Sequence, residues 1–119
     1  IVAAASLAHD LGNPPFGHSG ESAISSFFTD HPKGKAFQQQ VDPAEWSDLI
    51  SFEGNAQGFR ILNDEENSAL RLTFASLGAF TKYPRSSSAP KDKNRKSQKK
   101  YGFYKSDSKK FSEMATEMG

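Results

Sequence analysis

Apolar residues open the chain in an Ala-rich stretch, Ile1 to Leu11, without glycine or proline, which predicts a buried helix ending near Gly12. Asn13-Pro14-Pro15 forbids helix beyond it, because each ring fixes φ and restricts the residue before it. A rigid turn therefore follows His9-Asp10. Ala23, Ile24, Phe27 and Phe28 then share one helical face, with Ser19 as the candidate cap and Asp30-His31-Pro32-Lys33-Gly34 as the terminator. His31 falls in that breaker as a surface residue. Asp42-Pro43-Ala44-Glu45 combines an acidic N-cap, proline at the first helical position and glutamate at the third, a strong start signal. From there Trp46, Leu49, Ile50, Phe52, Phe59, Ile61 and Leu62 keep mostly helical spacing to Asn63-Asp64. Gly54 and Gly58 interrupt that pattern at about 1 kcal/mol each relative to alanine, which calls for a close packing partner or a functional reason. Asn67-Ser68 predicts a further helix bearing Leu70, Leu72, Phe74, Leu77 and Phe80, closed before Pro84. Residues 86–100 have little to bury and predict a loop or disordered segment. Tyr101-Gly102-Phe103-Tyr104 restores apolar bulk, and Ser108 can cap a last short helix through Met118. With no strand-like run and no internal repeat, the expected fold is all-α, carrying a long basic loop near residues 84–100.

Composition narrows this picture. The 119 residues suffice for one modest domain, and 35% hydrophobic content leaves a thin core. No apolar stretch approaches the roughly 20 residues that cross a bilayer, so no membrane span and, with no signal peptide at the start, a cytoplasmic location are expected. The absence of cysteine excludes disulfide scaffolds and thiolate zinc sites, so any metal must take histidine and carboxylate ligands. The net charge of +1 conceals a dipolar chain. Residues 1–81 hold four basic residues against ten acidic ones, a balance of −6; residues 82–110 stand at +9, and the last nine at −2. Such asymmetry marks either a polyanion contact or a solvated loop.

The chemistry concentrates in residues 8–21. His9-Asp10 offers one nitrogen and one oxygen ligand suited to a divalent first-row metal, although two ligands alone do not make a site. His18 and Glu21 lie three apart, so a helix beginning there places both on one face. A carboxylate hydrogen-bonded to imidazole holds its tautomer and favours its charged form, the arrangement from which general acids are built. On spacing alone, a histidine capping a helix entrance explains His18 equally well. The Pro-Pro turn is short and stiff enough to bring His18 near the His-Asp pair.

The run His9-Asp10-Leu11-Gly12-Asn13-Pro14-Pro15-Phe16-Gly17-His18-Ser19-Gly20-Glu21 resembles the signature of the deoxyguanosinetriphosphate triphosphohydrolases, a branch of the HD-domain metal-dependent phosphohydrolases. Three further blocks resemble later blocks of that family in the same order: Phe52 to Leu62, Leu72 to Pro84, and Lys100 to Asp107. The resemblance implies a helical HD-domain core over residues 1–83, the basic loop over 84–100 and a short helical segment over 101–119, all within a single domain. It implies hydrolysis of a deoxynucleoside triphosphate, dGTP or dNTPs generally, to deoxynucleoside and inorganic triphosphate. His9 and Asp10 would be metal ligands, His18 the catalytic imidazole and Glu21 its carboxylate partner. Asn13, Lys82 and Tyr83 would be candidates for phosphate or sugar contact. Asn55, Gln57 and Arg60 would be candidate polar pocket residues, with an interhelical hydrogen-bond network as the alternative for Asn55 and Gln57. The implied cofactor is a divalent ion, Mg2+ or Mn2+ first, with Fe, Co or Zn as alternatives. The implied partners are the dNTP substrate, further copies of the chain in a hexamer or tetramer, and a nucleotide or single-stranded DNA effector.

The family's HD site also takes a histidine from a helix before the His-Asp helix and an aspartate from well beyond the third block. Neither is present, since after Tyr104 the only carboxylates are Asp107, Glu113 and Glu117. The expectation is therefore a central fragment of such an enzyme, with at most a half-formed metal site and no useful turnover by itself. Two rivals remain at this stage. One is another HD-domain phosphohydrolase, a nucleotidase or phosphodiesterase; the other is a helical nucleic-acid-binding module using the basic segment, with Tyr101, Phe103 and Tyr104 as stacking residues.

Overall fold

A computed structural model describes residues 1–64, 66, 71–90 and 100–119. The helix start at Asn67-Ser68, Leu70, and the basic positions Lys91, Lys93, Arg95 and Lys96 lie outside the described residues. The described chain is helical, as expected: α1 (Val2–Ala8), α2 (Gly17–Asp30), α3 (Pro32–Ala36), α4 (Pro43–Leu49), α5 (Gly54–Asn63), α6 (Phe74–Phe80) and α7 (Ser108–Met118). Single 3-10 turns at Phe37–Gln39 and Lys105–Asp107 lead out of α3 and into α7. Among the described residues the only β feature is an isolated parallel bridge between Ser86 and Phe103, and no helix is long and apolar enough to cross a membrane.

Several sequence expectations are corrected. The first helix ends at Ala8, not near Gly12, and buries only Ala5 and Ala8; Val2 and Leu7 stay exposed. Helix α2 begins at Gly17, so Ser19 sits inside it. Its N-cap is Phe16, a residue whose φ of 66° is left-handed and which is 91% exposed. The breaker after Asp30 restarts as α3, because His31 accepts the Lys33 N–H at 3.2 Å and Pro32 is preset for the first helical position. The capping box at Asp42 forms as expected, with Asp42 accepting from Ala44 and Glu45 while the Glu45 carboxylate accepts the Asp42 N–H. The apolar run that follows is two helices rather than one. Glu53 is extended and caps a new helix at Gly54, which turns the chain between Ile50 and Glu53. Thr73 caps α6 in the same way, accepting from Ser76. Residue 108 is the first residue of α7 rather than its cap.

The core forms where α1, α5, α6 and α7 meet around Phe59, which is fully buried among Leu62, Leu77, Phe80, Phe103 and Met114. Phe103 stacks on Phe111 at 4.0 Å. Ala56, Tyr101 and Tyr104 make a smaller buried cluster. Tyr101, Phe103 and Tyr104 are thus structural, and the nucleic-acid reading loses its stacking residues. Buried Asp48 ties distant segments together: its carboxylate accepts from Ser87 Oγ at 2.6 Å, the Lys105 N–H at 3.1 Å, the Ser106 N–H at 3.3 Å and Ser106 Oγ at 2.9 Å.

Candidate functional site

The turn joining α1 to α2 lies directly on the start of α5. A Cβ on Gly12 would fall far inside contact distance of the Gly54 carbonyl and the Gly58 amide, both backbone atoms. Added at Gly54, it would come within 2.5 Å of Asn13 Oδ1 and 2.9 Å of Glu21 Oε1. At Gly58 it would overlap the Phe80 ring. The glycines that interrupt the apolar pattern are therefore sites of close approach, and they seat the His-Asp turn on α5.

His9 follows α1 immediately. Its Nδ1 lies 2.6 Å from the Ser6 carbonyl, a contact that requires Nδ1 to carry the proton. Nε2 lies 2.8 Å from Asp10 Oδ2. Both side chains are largely exposed, so two lone-pair atoms converge at the surface, where either a proton or a shared cation relieves their repulsion. The other Asp10 oxygen accepts from the Asn13 amide at 2.9 Å. Asn13 thus orients Asp10, with an amide hydrogen engaged there. A histidine nitrogen beside an oriented carboxylate is a donor set that fits a first-row divalent ion as two of its ligands. Among the described residues no three His, Cys, Asp or Glu side chains converge to hold a metal.

On α2, Glu21 is anchored twice. Its Oε1 accepts the Gly54 N–H at 2.8 Å, and its Oε2 lies 2.8 Å from His18 Nδ1. Glu21 is 13% exposed and His18 78%, so a nearly buried carboxylate fixes the tautomer of an imidazole that reaches solvent. The helix spacing places them together, and the Gly54 contact keeps them so.

His9, Asp10, Asn13, His18, Asn55, Lys82, Tyr83 and Lys100 line one open hollow of about 730 Å3, along with residues of α1 and α6. Six residues singled out from the first and third blocks, and Asn55 from the second, thus face the same space. Gln57 and Arg60 do not. On a helix they lie roughly 200° and 140° around from Asn55, and they line a second hollow with Asp48, Phe52 and Tyr104. Arg60 there pairs with Asp107 at 2.9 Å, donates to Ser106 Oγ and lies over the Tyr104 ring at 4.4 Å. Asp107 is accordingly engaged away from the His-Asp pair. In the sequence Lys100 is one of many lysines in a charge run, and nothing local marks it. The structure gives it a specific partner, Glu53, with 3.6 Å between Nζ and Oε1.

Burial pushes the Tyr101 hydroxyl far above the usual tyrosine range, and the nearby Tyr104, Asp48, Glu53 and Glu21 charges add to the effect. Burial likewise raises Tyr104, partly opposed by the Glu53 backbone hydrogen bond and by Arg60. Among the described residues, the buried Tyr101 hydroxyl has no hydrogen-bond partner.

The chain matches no protein-family model. It is 51% identical over 88 residues to a deoxyguanosinetriphosphate triphosphohydrolase-like protein of Pseudomonas aeruginosa, covering 71% of this chain and 20% of the relative. A protein of the same name from Synechocystis is 43% identical over 128 residues, covering 100% of this chain and 29% of the relative. One from Listeria monocytogenes is 41% identical over 125 residues, covering 98% and 27%. The chain thus spans less than a third of the length of these curated relatives. Identity at this level along the whole chain, together with the clustered His9, Asp10, His18 and Glu21, leads to one assignment: the chain belongs to the deoxyguanosinetriphosphate triphosphohydrolase-like family.

Proposed function

We propose that this chain supplies the metal-binding pair and the acid–base histidine of an enzyme that hydrolyses a deoxynucleoside triphosphate to deoxynucleoside and inorganic triphosphate. The observation that carries this reading is the shared hollow, in which the His9–Asp10 pair, the Glu21-locked His18 and two lysines, Lys82 and Lys100, meet. The names of the relatives supply the substrate class.

In the reaction a water oxygen bonds to the α-phosphorus, the bond from phosphorus to the 5′ oxygen breaks, and the departing 5′ oxygen takes up a proton. His9 Nε2 and the Asp10 carboxylate would hold a divalent ion, Mg2+ or Mn2+ in the first instance; when bound, such an ion polarises the phosphate and activates water. His18 carries the mobile proton at Nε2, because Nδ1–H is committed to Glu21, and the carboxylate stabilises the imidazolium. Lys82 and Lys100 neutralise the polyphosphate, while Asn55 and Tyr83 offer polar edges within the same wall. Asn13 holds Asp10 in place rather than meeting phosphate.

The test uses the complete protein with Mg2+ or Mn2+ and dGTP, following deoxyguanosine and triphosphate by chromatography. Release of both, abolished in Asp10→Ala, supports the reading. Release of orthophosphate or pyrophosphate, or turnover of nucleoside monophosphates alone, transfers the chain to another HD-domain activity. An Asp10→Ala protein that hydrolyses dGTP normally refutes the role of the pair.

A further inference from the structure

Two residues of the hollow, Asn55 and Lys100, come from segments 45 positions apart, and the structure joins them through a residue outside the hollow. Glu53 is 7% exposed. Its Oε1 accepts from the Asn55 side-chain amide at 2.6 Å and lies 3.6 Å from Lys100 Nζ. The same oxygen faces the Asn55 backbone N–H at 3.5 Å as the N-cap of α5. A buried carboxylate normally needs such partners. Here both of its side-chain partners also belong to the wall that faces the proposed polyphosphate. Lys100 is a long side chain with about 2 kcal/mol of rotamer entropy to lose if it must be ordered by the ligand alone. A fixed carboxylate behind it reduces that loss before binding.

We infer that Glu53 is a positioning residue, which sets Asn55 and Lys100 in the wall of the hollow for a polyphosphate anion. The inference rests on the proposed function for the identity of that anion. Simple charge counting gives the opposite sign, since deleting a carboxylate close to an anion site strengthens anion binding.

Inorganic triphosphate binding to the complete protein, measured by isothermal titration calorimetry, decides between them. In Glu53→Ala, binding weakens about tenfold, the loss of roughly one charge-assisted contact. Introduced into an Asn55→Ala/Lys100→Ala background, the same change alters affinity by less than about twofold, because Glu53 acts only through those two partners. Glu53→Gln keeps an acceptor for the Asn55 amide and gives up the ion pair, so it falls between wild type and alanine. If circular dichroism shows that Glu53→Ala is unfolded, Glu53→Gln alone decides, by the same comparison with and without the two partners. Tighter or unchanged binding in the Glu53 variants overturns the inference. So does a loss that persists in full in the partner-deleted background, as does a wild-type protein that takes up no triphosphate. Wild-type protein that binds triphosphate through Glu53 yet hydrolyses no dNTP refutes the proposed function and leaves the positioning role standing.

Discussion

Replacing Glu21 by glutamine changes one atom and reverses a proton. Glu21 Oε1 takes the Gly54 N–H and Oε2 faces His18 Nδ1, both at 2.8 Å. Gly54 cannot accept from an amide nitrogen, so the glutamine must keep its oxygen toward Gly54 and turn its NH2 toward His18. Nδ1 must then accept, and the imidazole proton moves to Nε2. In energy, a charge-assisted bond to the Gly54 N–H becomes a neutral one, a loss of about 1 kcal/mol. The His18 side adds little, because that ring is mostly exposed. Glu21→Ala leaves the Gly54 N–H without its acceptor and costs about 2–3 kcal/mol. The chemistry suffers more than the fold, because the imidazolium loses its carboxylate: turnover of dGTP by the complete protein should fall at least ~100-fold in Glu21→Gln. Nitrogen NMR of the histidine rings reports the tautomer, and urea unfolding reports the stability. A His18 ring that keeps its proton on Nδ1 in Glu21→Gln, or a variant with wild-type turnover, would refute the reasoning.

Three other outcomes follow from the packing. Gly12→Ala should destabilise the chain by about 1–3 kcal/mol in urea titrations, since its Cβ meets two backbone atoms that cannot swing aside; a change under about 0.5 kcal/mol contradicts the close approach. Tyr101→Phe removes a buried hydroxyl that has no partner among the described residues, and should leave stability unchanged or raise it by about 1 kcal/mol in the same titration; a loss above that reveals a partner. Tyr101 and Tyr104 are both held protonated by burial, above the ordinary tyrosine value of 10.0. The unfolded chain therefore releases these protons first. Their contribution is fully present below pH 10 and falls by about 2–3 kcal/mol per pH unit as the pH rises above it. Alkaline unfolding curves should show that slope, and a flat profile would mean that the two hydroxyls are accessible to base.

Short-range chemistry was legible in the sequence. The Asp42 capping box and the His18–Glu21 pair depend on residues three apart, and both form. Gly54 and Gly58 signal a close partner, although the sequence does not reveal that Asn13 and Glu21 would press on Gly54, and Phe80 and Gly12 on Gly58. Local pattern misleads where it continues past the point at which the backbone turns. Apolar spacing through Ile50 and Phe52 concealed the break at Glu53, and a plausible serine at 19 concealed a left-handed Phe16. Arg60 lies close to Asn55 in the chain, whereas helical rotation sends it to the opposite side. Asp48, Glu53 and Lys100 acquire their roles from partners 39 to 58 residues away, or 47 in the case of Glu53 and Lys100, beyond the reach of any periodicity.

The stem at residues 85–87 and 102–103 bears on how this protein can change over evolutionary time. The Ser87 N–H donates to the Phe103 carbonyl and the Gly102 N–H to the Arg85 carbonyl, both at 3.0 Å, and Asp48 grips Ser87 on one side and Lys105–Ser106 on the other. The two ends are therefore held by bonds to each other and to α4, through described residues alone. An insertion between Pro90 and Lys100 should therefore leave the stem and the helices that hold His9 and His18 in register, whereas a change at Lys100 itself removes a wall residue of the hollow.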